Sequence, residues 1–196
     1  MRSPAFLIAL FLLSGCSALR YDEPTAGHRA RVRFVTDTKD IAVLRSYDDV
    51  GCTQNETEWM RLRNGPLITS TRKSLGMPLW KYNDNAAKEV YVEAGRQFNW
   101  LFMSADSSLQ LSPVMLVGLI PVEVHACGVP FSYSFIENKD YEVSLQWNRT
   151  TCRVIVSEVA ADSTAGPQFS ELATFTNQLT ETNKTCLNQL TKKRVY

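Results

Sequence analysis

The strongest signal in the chain is a two-residue hydrophobic period over residues 122–159. Val122 and Val124 alternate with Glu123 and His125, and Phe131, Tyr133 and Phe135 with Ser132 and Ser134. Tyr141, Val143, Leu145 and Trp147 alternate with Glu142, Ser144 and Gln146, and Cys152, Val154 and Val156 with Arg153, Ile155 and Ser157. Successive side chains of an extended chain point to opposite faces, so this is the pattern of half-buried strands. The connections at 137–140 and 148–150 are short and turn-rich, and predict antiparallel hairpins between consecutive strands. Upstream, 31–35 and 41–45 predict a first strand pair and 58–61 a short strand. A further pair over 89–92 and 97–103 turns at Ala94-Gly95-Arg96, with Phe98, Trp100 and Phe102 on one face. Residues 69–85 are polar, include Gly76-Met77-Pro78, and read as an irregular loop.

After Val159 the composition shifts. Residues 160–167 read as a linker and 168–190 are Thr- and Asn-rich. Leu172, Phe175, Leu179, Cys186 and Leu190 recur there at helical spacing, which allows a short amphipathic helix packed on the sheet; the threonines count against it. The whole is mostly β: an antiparallel β-sandwich of about eight strands over residues 30–160, with a C-terminal extension over 161–196 that has room for a short helix.

The first residues follow a different rule. Arg2 supplies a positive start and residues 5–13 (AFLIALFLL) are uninterruptedly apolar. That run is about half of the roughly 20 residues a membrane span requires, and it ends on small residues, as a secretory signal does. Leu13-Ser14-Gly15-Cys16 resembles the lipobox of bacterial lipoproteins. The resemblance implies removal of residues 1–15, a diacylglyceryl thioether on Cys16, and a further acyl chain (palmitate) on the new amine. Ser17 stands where an aspartate would retain such a protein in the inner membrane, so the resemblance implies an outer-membrane anchor facing the periplasm. More than one acyl chain suffices for stable anchoring. Residues 16–29 are polar, contain Pro24 and Gly27, and read as a tether that could extend on the order of 40 Å. Three Asn-X-Thr tripeptides, at Asn55, Asn148 and Asn183, arise easily by chance in such a chain.

Cysteine parity agrees with the lipobox. Setting Cys16 aside leaves Cys52, Cys127, Cys152 and Cys186, an even number that predicts two disulfides in an oxidising compartment, with three possible connectivities. Folding the predicted meander brings Cys127 and Cys152 to one end of a sheet, which favours that pair and leaves Cys52 with Cys186. No CxxC spacing points to zinc or redox chemistry. The chain carries 21 Lys+Arg and 20 Asp+Glu; loss of Arg2 leaves it formally neutral, with no field to draw it onto nucleic acid.

Candidate chemistry is sparse, and no metal site or cofactor is expected. Of the two histidines, His28 falls in the tether and His125 on the polar face of a strand. Asp48-Asp49 precede Gly51-Cys52, where aspartates serve a turn. No GxSxG, HExxH or Walker-type sequence occurs. The apolar stretch 112–121, bracketed by Pro113 and Pro121, reads as buried cover or as a partner loop. Lys192-Lys193-Arg194 reads as a solvated end. Trp80-Lys81-Tyr82 is the aromatic-basic exception, in the long loop where it can stack on a sugar, anchor a partner or pin the loop. The single β domain, with its turns at Ala94-Gly95 and Asn138-Lys139-Asp140-Tyr141, is similar in pattern to transthyretin-like sandwiches among periplasmic lipoproteins; that similarity carries no functional residue. Three readings follow, in order: a non-catalytic adaptor positioning an envelope assembly, a carbohydrate or peptidoglycan binder using residues 80–82, and an envelope hydrolase.

Overall fold

Among the described residues, where apolar and polar residues alternate, the chain is extended. The computed structural model describes residues 21–63, 73–78, 82, 85–105, 126–148, 151–160, 168–177 and 184–186. Residues 1–16, Trp80, Lys81, the stretch 112–121, the alternating residues 122–125 and the basic end 192–194 lie outside the described residues. The strands are β1 (Arg29–Thr36), β2 (Ala42–Tyr47), β3 (Thr57–Leu62), β4 (Ala87–Glu93), β5 (Gln97–Ala105), β6 (Ala126–Ser134), β7 (Asp140–Trp147), β8 (Cys152–Ala160) and β9 (Gln168–Thr176). They form two sheets, ordered β4-β1-β7-β8-β9 and β3-β2-β5-β6, that make a β-sandwich.

The inward phase of each strand fills the space between the sheets. Phe34 meets Trp59, Trp100 and Phe102 edge-on, at centroid separations of 6.5, 6.0 and 6.4 Å. Phe98 stacks on Trp100 at 5.0 Å. Val32, Leu44, Val90, Val143, Leu145, Val154 and Val156 complete the core, all without exposure. Such aromatic pairs add about 0.5–1.5 kcal/mol each beyond the area they bury.

Three predicted pairings are corrected. β1 and β2 do not pair, β4 and β5 do not pair, and β6 and β7 do not pair: each couple is divided between the sheets. Alternation records which side chains face the core but not which strand lies alongside, and a short connection can cross to the facing sheet as readily as it can reverse. At one crossing Gly95 adopts φ +77° and donates its N–H to the Phe135 carbonyl at 2.9 Å. β1 instead pairs antiparallel with β4 and parallel with β7. The hairpin β7–β8 forms as predicted.

Cys127 and Cys152 pair with a Cα separation of 5.6 Å, but for a reason other than the meander. They sit on β6 and β8, in opposite sheets, so the bridge staples the sandwich across its core. Cys52 pairs with Cys186 at 4.9 Å and packs with Tyr47 and Leu101.

The C-terminal expectation is also corrected. Residues 168–176 are a strand, and among the described residues only 184–186 are helical. Ala173 and Phe175 face the core with period two, Phe175 lying 5.6 Å from Phe131. The apparent helical spacing joined residues of two separate elements. Leu172 is the extra residue of a bulge between the pairs Val156–Ala173 and Ser157–Glu171, and is 47% exposed.

Residues 21–29, which the sequence pattern assigns to a polar tether, dock on the domain. Tyr21 stacks on Trp59 at 3.8 Å, the Tyr91 N–H donates to Glu23 at 2.9 Å, and the Arg29 guanidinium lies 3.9 Å from the centre of the Tyr91 ring. His28 is exposed yet held, its Nδ1 2.5 Å from a Glu137 carboxylate oxygen. That hydrogen bond, with the carboxylate's charge, raises the imidazole pKa above 6.5. A raised value in the folded state contributes stability that is complete below pH 6.5 and is lost as pH rises through the folded pKa.

Two outcomes are expected. The Cys127→Ala/Cys152→Ala double variant loses roughly 2–5 kcal/mol in urea unfolding. By NMR titration His28 has a pKa above 6.5, and Glu137→Gln returns it towards that value; a wild-type His28 titrating at or below 6.5 would mean that the pair does not form in solution.

Candidate functional site

Strand register assembles a polar row that no local stretch of sequence contains. β1 lies between β4 and β7, and Arg33 stands opposite Glu89 on one side and Glu142 on the other. Glu142 stands opposite Ser157 of β8, and Ser157 opposite Glu171 of β9. Glu89, Arg33, Glu142, Ser157 and Glu171 therefore cross the whole sheet on its outer face.

The row begins as a buried ion cluster. Arg33 and Glu89 have no exposure and Glu142 is nearly buried. Arg33 Nε and Nη2 donate to Glu89 Oε1 at 3.0 and 2.7 Å, and Nη1 donates to Glu142 Oε2 at 3.3 Å. Nη2 also donates to the carbonyls of Met77 and Pro78, at 3.1 and 2.8 Å. The other oxygen of Glu89 accepts from the Ser74 hydroxyl and from the Leu75 and Met77 N–H groups. A buried charge is tolerable only when its hydrogen-bonding groups are met, and here the segment 73–78 folds over the sheet to meet them.

Tyr82 closes the cluster by donating to Glu142 Oε1 at 2.6 Å. Burial first, and then this hydrogen bond, raise the phenol pKa far above its ordinary value. The hydroxyl therefore stays protonated and remains a donor.

Beside the cluster, the outer face is hollowed into a groove of about 630 Å³. Val35, Ser144, Ile155 and Ser157 come from the sheet itself, Tyr82 and Glu142 from the ion cluster, and Phe169 and Glu171 from β9. Arg63 also lines it. This residue follows β3 with φ +55°, an uncommon conformation for a side-chain-bearing residue, and its N–H donates to the Asn85 carbonyl at 2.7 Å. Among the described residues its buried Nε has no hydrogen-bond partner. Glu142 spends its oxygens on Arg33 and Tyr82, which makes it an anchor for the groove rather than a group left over for acid–base work.

Of the residues the sequence singled out, Tyr82 is at this groove, while Trp80, Lys81, His125 and Cys16 lie outside the described residues. His28 is remote from it, paired with Glu137. Asp49 serves a turn: burial acts to raise its pKa, but the Gln54, Thr53 and Gly51 N–H groups and the Thr53 hydroxyl outweigh it and hold the carboxyl low. Among the described residues no group of three or more His, Cys, Asp or Glu is placed to hold a metal ion. Arg33, Glu89, Glu142, Arg63 and Glu171 were missed by sequence reading. The available signal was an arginine and two glutamates on the polar phase of three strands, legible only once the pairing is known. No family model, curated protein or solved structure matches the chain.

Arg33→Met should cost about 3–5 kcal/mol, because it leaves two carboxylates buried without their cation. Combined with Glu89→Gln it should cost less than the sum of the two single changes. Denaturant unfolding of the four proteins measures both. Strict additivity would mean that Arg33 and Glu89 are not energetically coupled.

Proposed function

We propose that this protein is a lipid-anchored, non-catalytic module of the bacterial cell envelope, held at the outer membrane through Cys16 and serving to position a larger assembly. One observation carries the reading. The domain's four cysteines are paired with one another, Cys52 with Cys186 and Cys127 with Cys152, so neither bridge uses Cys16. Oxidised cysteines fit an exported domain, and a remaining cysteine directly after Leu13-Ser14-Gly15 fits a lipid attachment point.

Docking of residues 21–29 adds a mechanical consequence. Only residues 17–20 separate Cys16 from Tyr21, whose N–H bonds to the Trp59 carbonyl. At about 3.5 Å per residue this leader reaches less than about 20 Å, so an anchored domain is held against its membrane rather than hung from it. Close tethering of a rigid sandwich suits an adaptor, because it raises the effective concentration of the domain at a membrane-bound partner.

The test is in-cell crosslinking and affinity capture, comparing wild type with a Cys16→Ala form exported to the same compartment, alongside mass analysis of the mature N-terminus. The expected result is an acylated Cys16 and repeated capture of one envelope protein, weakened in the variant. An unacylated Cys16 removes the anchor from the proposal. Capture of murein fragments alone, or of nothing, removes the adaptor, and hydrolysis of an envelope polymer by the purified protein removes the non-catalytic reading.

A further inference from the structure

We propose that the groove on the outer face of the five-stranded sheet binds a neutral oligosaccharide. This goes beyond the adaptor reading and needs neither the lipid nor a protein partner.

The hydrogen-bonding inventory is the first reason. A sugar hydroxyl is donor and acceptor at once, and a site for it must offer both roles within a short distance. Arg63 supplies a donor, Glu171 an acceptor, and Ser144 and Ser157 both, all lining one groove whose wall is closed by the Tyr82–Glu142 pair. Arg63 Nε is buried with no acceptor among the described residues, a donor whose dehydration is offset only when something accepts from it.

Phe169 is the second reason. Its side chain lines the same groove and the residue is 37% exposed. A partly exposed aromatic ring beside polar groups gives a flat apolar surface on which the C–H face of a pyranose can lie while its hydroxyls reach the groups around it.

Charge decides among polar ligands. Among the described lining residues Asp37, Glu142 and Glu171 outnumber Arg63, the one guanidinium among them, and Arg33, behind Glu142, is already shared with Glu89. A polyanion would meet net repulsion there. A wholly apolar ligand would strip water from Arg63 and the carboxylates without replacing its hydrogen bonds. A neutral polyhydroxylated chain avoids both costs. The volume, about 630 Å³, lies within the range of roughly 300–1,000 Å³ common for small-ligand sites. Because the floor is a paired sheet braced by the Arg33 cluster, the groove exists before the ligand arrives, which limits the ordering cost of binding.

The experiment uses the mature chain carrying Cys16→Ala, so that success or failure here is independent of anchoring. Calorimetry would be run with oligomers of N-acetylglucosamine and of glucose, and with oligogalacturonate as the anionic control. A neutral oligomer should bind, with oligogalacturonate at least tenfold weaker. Phe169→Ala and Arg63→Gln should each weaken the neutral ligand about tenfold, with unchanged thermal unfolding. With the wild-type sequence around the groove, amide shifts in NMR on adding the neutral oligomer should localise to residues 144, 157 and 171, a readout that does not depend on how either variant folds. The proposal is overturned if no neutral oligomer binds the folded protein, if oligogalacturonate binds better, if both variants bind like wild type, or if the shifts map elsewhere.

Discussion

Arg33 is a guanidinium without access to water, and much of the molecule is arranged so that it can be. Two carboxylates from the strands on either side and two carbonyls from the segment 73–78 receive its donors. Each of those partners is fixed in turn: Glu89 by the same segment, Glu142 by Tyr82. Removing the cation would leave buried anions, and removing either carboxylate would leave charge unbalanced, so the cluster couples three strands and a loop into one unit. Its geometry depends on β1 lying parallel to β7. Had β1 turned back on β2 as a hairpin, Arg33 would face no acid from β7, and the segment 73–78 would have no reason to close over the sheet.

That dependence explains why the sequence yields the layers more readily than the pairings. Hydrophobic period alone identifies Phe98, Trp100 and Phe102, or Tyr141, Val143 and Leu145, as one face of a strand, because each must leave water whatever lies beside it. It is silent on neighbours. Ala94-Gly95-Arg96 has the composition of a hairpin turn and is a crossing between sheets; only the position of Phe135, whose carbonyl takes the Gly95 N–H, shows the difference. Cys127 with Cys152 is instructive for the same reason. Two inward-facing cysteines near strand ends meet whether the strands share a sheet or face each other, so the pair was legible while its architecture was not.

The site was hidden more deeply. Glu89, Arg33, Glu142, Ser157 and Glu171 belong to five strands and become neighbours only through four separate registers. Each read singly is an ordinary outward polar residue. Tyr82 was visible as an aromatic in a polar loop, but its partner, Glu142, is sixty residues away. The docked segment 21–29 was misread for a related reason: Tyr21 and Arg29 look like residues of a polar leader until Trp59 and Tyr91 are placed beside them.

Along this row the environment grades from dry to wet, and the grading separates what holds the fold from what can meet a ligand. At the β4 end Glu89 and Arg33 are without exposure and their groups are spent on one another. Glu142 stands at the boundary, bound to Arg33 behind it and to Tyr82 at the groove wall. Ser157 and Glu171 follow, with progressively more access to solvent. A groove placed at the wet end inherits the rigidity of the dry end through backbone pairing and through Glu142. It does so without exposing the buried charges that provide that rigidity. The strands that carry the polar groups are already held by the interaction that the sandwich itself requires, so a ligand on them meets groups that are in place.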